Sequence, residues 1–295
     1  AQRPVRLTVQ FFPYGQGKRL LLSRDVTAVE QSERMRRDFV ANVSHEIRTP
    51  LTVLSGFVET MQSLPLSAEE NGRYLELMAQ QAHRMQGLVQ DLLMLSSLEG
   101  SPHPDLSERV DMASLIRQCV DDASALSEVL AVDAGEPAHR IRAEILAPDA
   151  QLAGSRAEVQ SAISNLLSNA VRYTPFGGEV VASLRLLPDG GMQVAVRDSG
   201  PGIAREHLPR VTERFYRVDR SRSRETGGTG LGLAIVKHIA QRHGAQLIID
   251  SEIGCGSTFA LDFPEQRTYD PDAPNAVQRP QESESAPVAA PDVPL

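Results

Sequence analysis

Residues 40–61 read VANVSHEIRTPLTVLSGFVETM, and the spacing of their apolar side chains decides the first half of the fold. Val40, Val43, Ile47, Leu51, Leu54, Val58 and Met61 recur by threes and fours, the period of an amphipathic helix, in a helical stretch that begins near residue 28. A second run, Leu75, Met78, Ala82, Met85, Val89 and Leu92, repeats the spacing, and Pro65 to Ser67 supplies the break between the two. The pattern predicts an all-α helical hairpin over 28–100. Two helices with one apolar stripe each enclose no core, so a homodimer pairing two hairpins into a four-helix bundle is expected. Burial of both stripes on the rest of the same chain is the alternative.

Upstream, residues 5–12 (VRLTVQFF) and 18–26 (KRLLLSRDV) are β-like runs around the turn-rich PYGQG at 13–17, which predicts a hairpin. One hairpin is marginal alone in water, so residues 1–27 are expected to be the end of a larger sheet domain. Downstream, SPHPDLSERV at 101–110 reads as a linker, followed by helices at about 112–130, 156–171 and 231–242. Strands are predicted at 141–146, 179–187, 192–196, 246–250 and 258–263. Without regular βαβ alternation, these predict an α+β sandwich over 111–266, with helices on one face of a mixed sheet. Residues 267–295 hold six prolines and five acids against two arginines, the composition of a disordered tail.

The 295-residue length fits about two domains, and 41% hydrophobic with 23% charged residues suits packed globular structure. A net charge of −8 argues against nucleic acid as a partner. No run of 18 apolar residues occurs and the start does not resemble a signal peptide, so the chain is expected to be soluble. Cys119 and Cys255 are the two cysteines; their separation fits a reducing compartment and offers no metal cluster.

Within the first helix, a heptad with Val40 and Ile47 at a and Val43 at d puts His45 at f, facing solvent. A largely neutral imidazole has one free ring lone pair and is a candidate nucleophile, with Glu46 beside it to take the proton on the other nitrogen. Thr49 lies one turn on, and Pro50 removes a backbone donor and is expected to bend the helix. Farther along, Asn165 and Asn169 share a helix face, and amide oxygens suit a hard cation such as Mg2+ carried by a nucleotide. Asp198, before the tight glycine turn at Gly200 and Gly202, is placed to accept from an exocyclic amine such as adenine's. GGTGLGL at 227–233 opens the last helix, where bare N–H groups can hold phosphates. Residues 205–226 hold seven arginines and four acids, a net-positive flap over a polyphosphate site.

In order and spacing, SHEIRTPL (44–51), NLLSNAVRYTP (165–175), DSGPGI (198–203), ERFYRVD (213–219) and GGTGLGL (227–233) resemble the H, N, G1, F and G2 boxes of the histidine kinases of two-component signalling. The resemblance covers about residues 28–265, and FVANVSHEIRTPLTVLSGF looks like the phosphate-regulon sensor kinases within that family. It implies a GHKL (Bergerat) ATP-binding fold for the second domain and a PAS-like sensor domain ahead of the hairpin. It further implies Asp198 on the adenine amine, Asn165 and Asn169 around Mg2+ and the phosphates, with Asn165 the metal ligand, Tyr173 on the base and Arg172 on phosphate oxygens. Gly228, Gly230 and Gly232 would let the flap and helix start approach the phosphates. The γ-phosphoryl group would pass from ATP to His45 and on to an aspartate of a PhoB-like response regulator, in phosphate-starvation signalling. Thr49 with Glu46 would serve the reverse, phosphatase reaction, and the hinge near 101–110 with the Pro50 bend would control whether the domains meet.

Membrane attachment is implied only through a region ahead of this sequence, with the chain itself cytoplasmic and its parent anchored in the inner membrane. The rival readings are a non-catalytic nucleotide-gated dimeric scaffold and a GHKL ATPase. Related ATPases carry a glutamate four residues before the first N-box asparagine; here Ser161 stands there, which favours transfer over hydrolysis, with Glu158 nearby. The other six histidines, His83, His103, His139, His207, His238 and His243, lack metal-ligand spacing and read as structural or surface residues.

Overall fold

The computed structural model describes residues 5–14, 18–218 and 228–270. The chain divides into two compact units, Ala1–Leu93 with Glu213–Leu231, and Met94–Thr212 with Gly232–Leu295.

In the first unit, β1 (Leu7–Tyr14) pairs antiparallel with β2 (Lys18–Asp25), in a register that sets Leu7 against Asp25 and Tyr14 against Lys18. Pro13 lies inside β1, tolerated because each strand of a lone hairpin has a free edge. Asp25 Oδ1 accepts the Thr27 amide at 2.8 Å and leads the hairpin into α1 (Thr27–Ser63). That helix runs unbroken through Pro50, with Ser44, Thr49 and Thr52 hydroxyls donating to the carbonyls of Val40, His45 and Arg48. A capping box opens α2 (Ala68–Gly100): the Ser67 amide donates to Glu70 and the Glu70 amide to Ser67 Oγ. These bonds hold the Glu70 carboxyl below its ordinary range.

The helices meet through the Phe57 and Tyr74 rings, whose centroids are 5.4 Å apart, and Val43, Ile47, Leu54, Met78, Met85 and Leu92 of the two stripes are half-buried. Val40, Leu51, Val58, Leu75 and Val89 from the same stripes stay exposed. One hairpin therefore covers only part of its apolar surface.

The second unit holds the predicted five-stranded mixed sheet. Its order is β4 (Arg140–Ile145), β6 (Glu179–Leu186), β7 (Met192–Asp198), β9 (Gly256–Phe263), β8 (Gln246–Glu252), with β4 and β6 parallel and the other neighbours antiparallel. Helices α3 (Met112–Ala134), α4 (Arg156–Tyr173) and α5 (Gly232–Arg242) bury Leu115, Ile116, Ile163, Leu166, Leu167, Ile235 and Ile239 in the core along with Val194, Leu261 and Phe263 of the sheet. Asp111 caps α3 through the Ser114 amide at 2.9 Å, and Gly135 closes it in the left-handed region at φ 68°.

A second small sheet was not predicted: β3 (Arg109–Asp111), β5 (Gln151–Ala153) and β10 (Thr268–Tyr269) in the order β10-β5-β3. The folded domain thus reaches from Arg109 to Tyr269, taking in the end of the expected linker and the start of the expected tail. The reason is burial of Val110 and Leu152 and the Arg109 guanidinium lying 5.0 Å over the Tyr269 ring. The rest of the expected disordered tail, from residue 271, lies outside the described residues. Among the described residues no helix is long and apolar enough to cross a membrane.

Candidate functional site

His45 is exposed midway along α1, as its heptad position predicted. Consecutive residues on a helix do not face each other. Glu46 is accordingly engaged elsewhere: its Oε2 accepts from Arg84 Nη2 of α2 at 3.2 Å, rather than standing against the imidazole as expected. Thr49 is exposed and gives its hydroxyl hydrogen to the His45 carbonyl at 3.1 Å.

The described ends of the predicted flap belong to the same unit as the hairpin. Phe215 has φ 62° and donates its amide to the Gly230 carbonyl at 2.8 Å; at Gly230, φ 72°, a Cβ would be strained and tightly placed, 3.1 Å from Phe215 Cα. The Phe215 ring is 5.9 Å from Phe39 of α1, over which the Arg214 guanidinium lies at 5.0 Å. Thr229, between Gly228 and Gly230, donates to Asp91 Oδ2 of α2 at 2.5 Å, and burial pushes the Asp91 carboxyl up. These ends rest on the hairpin helices, a contact the sequence did not signal; residues 219–226 of the flap lie outside the described residues.

In the second unit, α4 sets Asn165 and Asn169 half-buried on one face. Asn165 Nδ2 donates to the Ser161 carbonyl at 2.9 Å, and its Oδ1 is turned toward Gly232, where a Cβ would come within 2.6 Å. The first residue of α5 must therefore be small for the amide oxygen to lie at that helix's N-terminal, electropositive end. Arg172 is half-buried, which pushes its guanidinium below the ordinary value, and Tyr173 is exposed at the end of α4.

At the end of β7, Asp198 is buried and its Oδ1 accepts the Gly200 amide at 2.8 Å. Burial raises its carboxyl against the opposing bonds from Gly200 and Ser257. A Cβ at Gly200 would sit 2.7 Å from Asp198 Oδ1, and one at Gly202, at φ 73°, would overlap the Glu252 carbonyl. Gly202→Ala is expected to cost roughly 2–4 kcal/mol in a urea melt. Gly254→Ala, at φ 82° with open space around it, should cost about 1 kcal/mol.

Thr174 lies beside Asp198 and the sequence reading passed over it. A Cβ at Gly200 would be 3.6 Å from Thr174 Cα, and the buried Thr174 Oγ1 has no hydrogen-bond partner among the described residues. Its carbonyl is fixed by His139, whose Nε2 donates at 3.0 Å while Ser127 Oγ contacts Nδ1 at 2.7 Å. His139 is thus structural, as expected. The residues fit a magnesium nucleotide: a buried acceptor and an orphaned hydroxyl at the sheet end, an amide oxygen for a hard cation, and a cradle that a side chain at position 232 would fill.

Comparison with known proteins accords with both units. Residues 35–101 match the His Kinase A (phospho-acceptor) domain, and residues 154–267 match the family of histidine kinase-, DNA gyrase B- and HSP90-like ATPases. The chain is 50% identical over 264 residues to the phosphate regulon sensor protein PhoR of Pseudomonas aeruginosa, covering 88% of this chain and 57% of that protein. It is 39% identical over 237 residues to the sensor-like histidine kinase SenX3 of Mycolicibacterium smegmatis, covering 79% and 58%. Among solved structures, full-length ShkA in complex with AMPPNP aligns with a TM-score of 0.54 at 27% identity, over 77% of this chain and 45% of that one. The chain spans less than two thirds of the length of these relatives. With the phospho-acceptor domain matched over the helical hairpin and the ATPase family matched over the α+β domain that follows it, the chain belongs to the sensor histidine kinases and is PhoR-like among them.

Proposed function

We propose that the chain is the kinase portion of a sensor histidine kinase that moves the γ-phosphoryl group of Mg-ATP to His45 and then to an aspartate of a response regulator. The observation that carries this reading is Asn165, whose oxygen meets the glycine that starts α5. A side chain there would close the space that phosphates need. Asp198 would accept from the adenine amine, Tyr173 would cover the base, Asn165 and Asn169 would hold Mg2+, and Arg172 would neutralise phosphate oxygens. Gly228, Gly230 and Gly232 would leave backbone amides bare toward them. Magnesium ATP, when bound, supplies the phosphoryl group and the cation that offsets its charge.

At the acceptor, a His45 ring nitrogen with a free lone pair would form the N–P bond as the bond from the γ-phosphorus to the β–γ bridging oxygen breaks to release ADP. The phosphoryl group then passes to the regulator's aspartate. Thr49 and Glu46 would orient a water for the reverse hydrolysis of the phosphorylated regulator. The exposed stripe at Val40, Leu51, Val58, Leu75 and Val89 supports a homodimer that covers it. Likeness to a phosphate regulon sensor protein supports a role in phosphate-starvation signalling; the motif resemblance implies a PhoB-like regulator, a PAS-like origin for residues 1–27 and a membrane anchor in a region ahead of this sequence.

Glu158, the acid nearest the place a hydrolase would need one, is bound to Arg242 through both oxygens, which counts against the ATPase reading. The test is incubation with γ-labelled ATP. Wild-type chain is expected to take acid-labile, alkali-stable label, and Asn165→Ala to lose at least about 100-fold of it. Free phosphate without protein label would overturn the proposal.

A further inference from the structure

The stretch that joins α2 to the ATPase domain reads in sequence as a loose linker, yet one side chain grips it. Arg242, the last residue of α5, is 6% exposed, and each of its five N–H groups has an acceptor. Nε and Nη2 donate to the two Glu158 oxygens at 3.0 and 2.9 Å. Nη1 donates to the carbonyls of Leu98 at 2.8 Å and Ser101 at 2.9 Å, and Nη2 to that of Pro102 at 2.6 Å. The Arg242 carbonyl in turn accepts from His103 Nδ1 at 3.3 Å. Arg267 adds a second hold, donating to the Pro104 carbonyl at 3.3 Å and the Ala153 carbonyl at 2.9 Å.

Two of these acceptors have a special standing. The Leu98 carbonyl lies in the last turn of α2, where helical carbonyls lack an amide partner, and Ser101 follows that turn directly; the guanidinium thus caps the helix. Its counter-charge, Glu158, sits in the first turn of α4, the helix that carries Asn165 and Asn169. Glu158 is spent on Arg242 instead of completing a capping box with Ser155, whose Oγ alone accepts the Glu158 amide, at 3.5 Å. The linker, the end of α2 and the asparagine helix are therefore bonded to one planar group.

We infer that Arg242 is a positioning residue for phosphoryl transfer: it makes residues 98–104 a rigid part of the ATPase domain. Any joint that lets the transfer occur then lies within α2 upstream of Met94, the residue at which the second unit begins, and not in the linker. This inference rests on the transfer reading above. In that reading the nucleotide contacts on α4 run from Asn165 at mid-helix to Tyr173 at its end, away from Glu158 in the first turn, so binding should not depend on the clamp, whereas the encounter with His45 does, because misplacement of a reacting group by about 1 Å can cost about 100-fold in rate.

The test uses the whole chain with two variants. Arg242→Met combined with Glu158→Leu removes both charges together and leaves neither buried alone, so the fold is expected to survive. Arg242→Lys keeps the charge but offers three donors to five acceptors. For both, the labelling rate at saturating ATP is expected to fall about 10- to 100-fold. The dissociation constant of AMPPNP should stay within about twofold, and amide exchange at 99–108 should accelerate at least about tenfold. A labelling rate equal to wild type, a loss that lies wholly in AMPPNP affinity, or unchanged exchange at 99–108 overturns the inference. A wild-type chain that takes no label overturns the transfer reading itself, a result distinct from equal labelling of wild type and variants.

Discussion

His45→Gln is expected to abolish protein-bound label from γ-labelled ATP, by at least about a thousandfold, with the melting temperature and AMPPNP affinity unchanged. The asymmetry follows from where the residue sits. Its side chain is exposed on α1, so removing it takes nothing from the core, and exposed substitutions of this kind change stability by about 0.5 kcal/mol or less. The Thr49 hydroxyl bonds the backbone carbonyl of residue 45, which glutamine keeps. Glutamine is also a good helix former. What it lacks is a ring nitrogen with a free lone pair, since the amide nitrogen's pair is delocalised into the carbonyl. Autoradiography after an alkaline wash reads the result; label retained on the variant would place the acceptor elsewhere and sink the assignment.

Asp198→Asn should separate binding from stability in the opposite way. An amide in place of the carboxylate presents a donor where the adenine amine also donates, costing about 3 kcal/mol, or about a 100-fold rise in the AMPPNP dissociation constant by titration calorimetry. The fold should gain. Burial raises the native carboxyl above its ordinary value of 3.8, so the native state holds its proton more firmly than the unfolded chain. The stability that this proton contributes is fully present below pH 3.8 and is lost as the pH rises through the raised native value. Asparagine removes that loss, so at neutral pH the variant should melt no lower than wild type, and its melting temperature should depend less on pH across that window. A variant that melts well below wild type and binds AMPPNP normally would contradict both halves.

Much of this architecture was legible before any coordinates. The hairpin over 28–100 and the five strands of the main sheet carry long periodic signals, and the helices and strands fall within a few residues of the expected ends. The strands β3, β5 and β10 escaped because two or three residues show no alternation, and they form only when Val110 and Leu152 are buried against one another's strands.

At the candidate site, residue type and spacing single out His45, Asn165 and Asp198, and the structure leaves His45 exposed on α1, Asn165 half-buried on α4 and Asp198 buried at the end of β7. Glu46 misled because adjacency in sequence is not adjacency on a helix; Arg84, thirty-eight residues on, is its partner. Arg242 was invisible for a different reason. Three of its acceptors are main-chain carbonyls, which every residue has, so no pattern of side chains records the contact.

That contact bears on how the ATPase domain can be cut free for expression. A fragment starting at residue 105 would discard all three carbonyls and leave a buried guanidinium with stranded donors. It would also strip the α2 side chains Leu95 and Leu98, which are buried in the same unit. The natural severing point is at or before Met94, inside a helix that a diagram of domains would draw as belonging wholly to the stem.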